Sequence, residues 1–92
     1  MIINYQTIDT PENAYRKISE IITDEYIANL KLSAKVEYDD NQLWIKGTGK
    51  GFKLTLQFLD EGCEIDLNLS FILRPLKSKL LSKIEKELNE NM

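Results

Sequence analysis

The sequence predicts an α+β domain of two layers, an antiparallel sheet with helices on one face, in the order β-α-β-β-β-β-α. Three observations lead there. Phe52, Leu54, Leu56 and Phe58 alternate with Lys53, Thr55 and Gln57, and Cys63, Ile65, Leu67, Leu69 and Phe71 alternate with Glu64, Asp66, Asn68 and Ser70. Alternation of period two marks half-buried strands, because successive side chains leave opposite faces of a sheet. The acidic turn Asp60-Glu61-Gly62 joins the two runs as an antiparallel hairpin. Thirdly, Leu73, Leu76, Leu80, Ile84 and Leu88 recur at spacings of three and four, the stripe of an amphipathic helix packed across the apolar face of that hairpin.

The other elements follow in chain order. Ile2 to Ile8 is rich in β-branched and aromatic residues and reads as a first strand. Thr10-Pro11-Glu12 starts a helix: the hydroxyl caps free N–H groups, proline suits the first helical position, and the acid suits the positive end of the dipole. The stripe Tyr15, Ile18, Ile22 and Tyr26 carries that helix to about Ala28. Ala34, Val36 and Tyr38 form the second strand, and Asp39-Asp40-Asn41 is a turn by composition. Leu43 and Ile45 face the core in the third strand, with Trp44 and Lys46 on the opposite face. Gly47-x-Gly49-x-Gly51 lacks the GxxxxGK[ST] pattern and leads into a strand, so it reads as a hairpin turn and not a phosphate loop. Pro75 fits only the first turn of the last helix, where its missing N–H is no loss.

Ninety-two residues make one domain, residues 1–92, with too few left over for a second. The net charge is −3, which disfavours nucleic acid as a partner, since phosphate binding draws on Lys and Arg. Trp44 is the only aromatic residue of the outer sheet face, too few for an RNA-binding platform. The charge is uneven: residues 71–92 carry five basic and three acidic groups, the other seventy residues seven and twelve. There is no histidine and a single cysteine, Cys63, placed by parity among the core residues as an inert thiol. These absences remove zinc sets, histidine triads and histidine bases. No calcium-loop spacing follows Asp39-Asp40-Asn41, so no metal and no cofactor is expected. The acidic pairs Asp24-Glu25, Asp39-Asp40 and Asp60-Glu61 lie in polar settings, so no enzymatic activity is expected either. The N-terminus does not read as a signal peptide and no segment spans a membrane, which suggests the cytoplasm.

Two features remain as candidate contact sites. Trp44 has the parity of the polar face, where an indole buries much area at low entropy cost in a partner or ligand. The last helix offers Leu73, Leu76 and Leu80 along its stripe, with Lys79 and Lys83 to one side. Its lysines precede its glutamates, which opposes the helix dipole at both ends. These lysines could meet an anionic surface.

Gly49-x-Gly51-x-x-Leu54, then Ile65-x-Leu67-x-Leu69-x-x-x-Leu73-Arg74-Pro75-Leu76-Lys77, then Ile84-x-x-x-Leu88 resemble the small bacterial polyhydroxyalkanoic acid system proteins, a family often encoded near polyester-granule genes. The resemblance covers nearly the whole chain, its most specific part being Leu73-Arg74-Pro75-Leu76-Lys77. It implies an accessory role at granules or toward an acyl ligand, and it carries no catalytic motif onto these positions. The layout is also similar to a shortened helix-grip domain, whose C-terminal helix closes over a curved sheet with lipophilic ligands between. The expectation is a non-enzymatic binding module for a lipophilic ligand, granule surface or protein partner. The alternative is a dimerisation domain with no small-molecule ligand, forming a homodimer through a sheet edge or the Trp44 face.

Overall fold

The central hairpin has the register its alternation demands. A computed structural model describes residues 1–92. In it β4 (Phe52–Phe58) and β5 (Gly62–Leu69) set Phe52 opposite Leu69, Leu54 opposite Leu67, Leu56 opposite Ile65 and Phe58 opposite Cys63. β3 (Trp44–Gly49) and β2 (Lys35–Asp39) extend the sheet on one side, and β1 (Ile2–Asn4) pairs with β5 on the other. The result is a five-stranded antiparallel sheet in the order β1-β5-β4-β3-β2. Gly51, at φ 73°, makes the tight turn between β3 and β4.

Helices cover one face only. α1 (Pro11–Ile21) lies over β3 and β4, and α3 (Lys77–Asn91) lies over β5 and β1. α3 therefore covers the β5 half of the predicted hairpin face, while α1 is the main cover of β4. Between the layers, Ile18, Ile22, Ile27, Ile45, Leu54, Leu56, Ile84 and Leu88 are wholly excluded from solvent. Tyr15 meets Phe58 edge to face, ring centroids 5.8 Å apart.

Several boundaries differ from the sequence expectation, each for a local reason. The first strand stops at Asn4, because the next N–H groups turn away: Gln6, Thr7 and Ile8 all donate to the Met92 backbone oxygen, at 2.8, 2.6 and 3.0 Å. The helix expected to reach Ala28 is two helices, α1 and α2 (Asp24–Asn29). Ile22 is extended, and Thr23 caps a fresh start, its Oγ1 accepting from the Tyr26 N–H at 3.2 Å, with Asp24 and Glu25 in the new first turn. That break lets Ile22 and Ile27 both reach the core.

Leu43 lies in the turn before β3, not in the strand. Asp39 Oδ1 accepts from the Asn41 and Gln42 N–H groups, and Leu43 closes the turn at φ 57°. β5 ends at Leu69 and not at Phe71, because β4 begins opposite Leu69 and offers no further partner. The Ser70 N–H bonds to the Gly51 oxygen at 2.7 Å, and the Ser70 oxygen then accepts from Leu73 and Arg74. A 3-10 turn, Arg74–Leu76, contains Pro75 and delivers the chain into α3 at Lys77. Leu73 and Leu76 therefore precede the helix whose stripe they were expected to begin.

Candidate interaction surface

The junction between β5 and α3 is the most exposed apolar part of the chain. Phe71 is 82% and Ile72 83% exposed, followed by Leu76 at 45%. Arg74, Pro75, Lys77, Ser78 and Lys79 are exposed as well, while Leu73 is half-buried. Phe71, Ile72, Arg74 and Pro75 line one surface depression, and Lys50, Gly51, Ser70, Ile72 and Leu73 line the next. A third, of about 170 Å³, is formed by Leu30, Lys31, Leu76, Lys79, Leu80 and Lys83. No carboxylate lines any of the three. The bonds among Gly51, Ser70, Leu73 and Arg74 brace the base of this tip, so the apolar pair projects from an ordered turn.

Of the residues singled out in the sequence, the fold gathers Leu76, Lys79 and Lys83 around one groove and sets Leu73 beside it. Leu80 lines the floor of that groove yet is only 5% exposed, its side chain belonging to the core. Trp44 stands apart, on the uncovered sheet face at the opposite end of β3. It lies opposite Gln57, whereas the tip adjoins the Gly49–Phe52–Leu69 end, five residues or about 17 Å away along the strand. Its indole is half-buried, with the Lys46 ammonium 4.2 Å from the ring centroid, a cation–π contact.

Phe71 and Ile72 were not singled out in the sequence. Parity assigned Phe71 to the core. The available signal was composition: Phe71-Ile72-Leu73 interrupts the alternation just before a proline, in a stretch from Leu67 to Ile84 that contains four cations and no acid.

The helix–sheet interior is filled rather than hollow. Leu80, Ile84 and Leu88 join Cys63, Ile65 and Leu67 in a continuous core. The groove of about 170 Å³ beside α3 is below the size of a drug-sized ligand site, about 300 Å³ upward.

Elsewhere, a cleft brings Glu12, Tyr15, Arg16, Ser19 and Asp40 together, with Tyr38 beside it. The Tyr15 hydroxyl donates to Asp40 Oδ1, and the Tyr38 hydroxyl donates to the Ile22 oxygen at 2.8 Å. Burial, then the Asp40 bond, raises the Tyr15 phenol well above its ordinary range, so it stays protonated at neutral pH. Cys63 is wholly buried, and burial followed by the nearby Glu64 charge pushes its thiol up to about 12. A thiol held that way is a poor nucleophile. No three His, Cys, Asp or Glu side chains come together in a group able to hold a metal ion.

A family model described as "Putative polyhydroxyalkanoic acid system protein" matches residues 6–92. The chain belongs to that family. The match takes in every element of the fold except β1. Among curated proteins and among solved structures, no significant match is found. As a polyhydroxyalkanoic acid system protein, the chain is linked by family name to a polyester system, and no helix in it is long and apolar enough to cross a membrane.

Proposed function

We propose that this is a non-enzymatic accessory protein of a polyhydroxyalkanoate system, working in the cytoplasm, that meets a lipophilic phase with its surface instead of enclosing an acyl ligand. The observation that carries the reading is the exposure of adjacent Phe71 and Ile72, at 82% and 83%, beside a filled core. Each such side chain left in water forgoes about 1.5–3 kcal/mol of burial. Contiguous exposed apolar surface of this kind marks contact sites. The family match supports a polyester as the lipophilic phase. Tyr15, Tyr38 and Cys63, each buried or hydrogen-bonded, support the non-enzymatic part.

Sedimentation with amorphous poly(3-hydroxybutyrate) particles tests the proposal. Wild-type protein should pellet with the particles, and Phe71→Ser/Ile72→Ser should bind at least about tenfold more weakly at an unchanged thermal midpoint. A double variant that binds as well as wild type contradicts it.

Self-association is the second reading, favoured by the uncovered sheet face around Trp44. The β2 edge is less suited to it, since Asp24 Oδ1 already accepts from the Val36 N–H at 2.7 Å. Analytical sedimentation across concentration decides it: a protein monomeric at the highest concentration removes this reading.

A further inference from the structure

We infer that the β5–α3 tip is built for an anionic phospholipid surface, with Phe71 and Ile72 entering the apolar layer and a collar of cations seated among the headgroups. The inference rests on the surface-contact reading above and goes further, because a neutral lipophilic phase would make no use of the charge. Lys50 borders the depression that Ile72 shares with Ser70, Arg74 borders the one beneath Phe71, and Lys31, Lys79 and Lys83 border the groove beside Leu76. No carboxylate lines any of these depressions, in a chain that carries 15 acidic residues and a net charge of −3.

The cations are thus gathered at the same end as the exposed apolar pair, while the rest of the chain is acidic. Such a dipolar molecule is steered tip-first toward a negative surface and repelled from it in other orientations. Lys77 and Lys79 lie in the first turn of α3, which carries no acid and no side-chain cap, so their charge adds to the positive helix end instead of relieving it. Helix stability alone would favour acids there. An apolar residue set within basic ones is how surface-seeking segments combine burial with headgroup attraction, and neither signal suffices alone.

Flotation with vesicles of neutral phosphatidylcholine, and of phosphatidylcholine with phosphatidylglycerol, tests the inference alongside the polyester particles. The expected result is binding to the anionic vesicles only, weakened by salt and lost in Phe71→Ser/Ile72→Ser. Each cation near such a surface contributes about fivefold in affinity, so Lys50→Gln/Arg74→Gln/Lys79→Gln should lose on the order of 100-fold. A control with the same net charge, Arg16→Gln/Lys17→Gln/Lys86→Gln, should stay within about twofold of wild type, because its cations lie away from the tip, Arg16 beside Asp40 and Leu43 and Lys86 in the second half of α3.

Equal binding to neutral and anionic vesicles, or equal loss in the two charge variants, overturns the inference. So does binding to polyester particles without vesicle binding, which leaves the proposed function standing. Binding to neither surface, or tip-dependent self-association in its place, overturns both.

Discussion

Two side chains sit in left-handed backbone, Lys31 at φ 67° and Leu43 at φ 57°. Lys31 follows the cap of α2, with its N–H on the Ala28 oxygen at 3.0 Å and the Leu32 N–H reaching the Ile27 oxygen at 3.4 Å. That is the helix ending at which glycine is normally found. The left-handed penalty for an L-residue, about 1–2 kcal/mol, outweighs the entropy glycine adds to the unfolded chain. Lys31→Gly should therefore stabilise by roughly 0.5–1 kcal/mol in urea titration. Gly49 makes the opposite demand, because a Cβ there would run into the Ser33 backbone oxygen. Gly49→Ala should cost more than about 2 kcal/mol in the same measurement.

Cys63 gives the fold a dependence on alkaline pH. Its thiol is raised from 9.0 to about 12, so the native state holds the proton more tightly than the unfolded state. Its contribution is complete below pH 9.0 and is lost as pH rises through about 12. Each pH unit in that window removes on the order of 1.4 kcal/mol. Tyr5 and Tyr15, raised chiefly by burial from 10.0, add to the loss at higher pH. Urea-unfolding free energies should fall from about pH 9 upward, and Cys63→Val should flatten the onset while leaving the later decline. An unaltered onset in Cys63→Val would show that the thiol does not titrate as described.

At the scale of elements, the two parts of the 71–92 segment do different things. Ile84 is fully excluded from solvent, so Ile84→Ala should cost about 2–5 kcal/mol, while Phe71→Ser should change stability by less than about 0.5 kcal/mol. Thermal melts of the two variants check the contrast. The helical period made Leu80, Ile84 and Leu88 legible as core, and the strand period did the same for Leu54, Leu56, Ile65 and Leu67. Phe71 was misread because parity states which face a residue takes, not where its neighbouring strand begins. Once β4 starts at Phe52, opposite Leu69, residue 71 has no partner and leaves the sheet. The break at Thr23 was masked by a stripe that continues through Ile22 and Tyr26, although Thr23-Asp24-Glu25 carries the same kind of start signal as Thr10-Pro11-Glu12. Leu43 followed a sound alternation into a turn set by Asp39, whose side chain bonds Asn41 and Gln42. Trp44 was placed outward correctly, and its Lys46 partner lies two residues on, where a strand returns to the same face.

At the scale of the molecule, the fold separates a closed core from an open apolar tip. The sheet has helices on one face, and its other face carries Glu37, Lys46, Thr55 and Asp66 across neighbouring strands, an ordinary solvated arrangement. What distinguishes the molecule is one end, where Phe71 and Ile72 project beside Arg74 and Lys50, with Lys31, Lys79 and Lys83 lining the groove at Leu76. The most direct test places a reporter there. Cys63 is buried, so Phe71→Cys can be labelled selectively with an environment-sensitive fluorophore, and Asn41→Cys, exposed in the turn before β3 at the opposite end of the sheet, serves as the reference. On addition of polyester particles or anionic vesicles, emission from position 71 should shift to the blue while position 41 stays unchanged. Protein bound to either surface with position 71 still reporting water, or with position 41 shifting instead, would contradict the account.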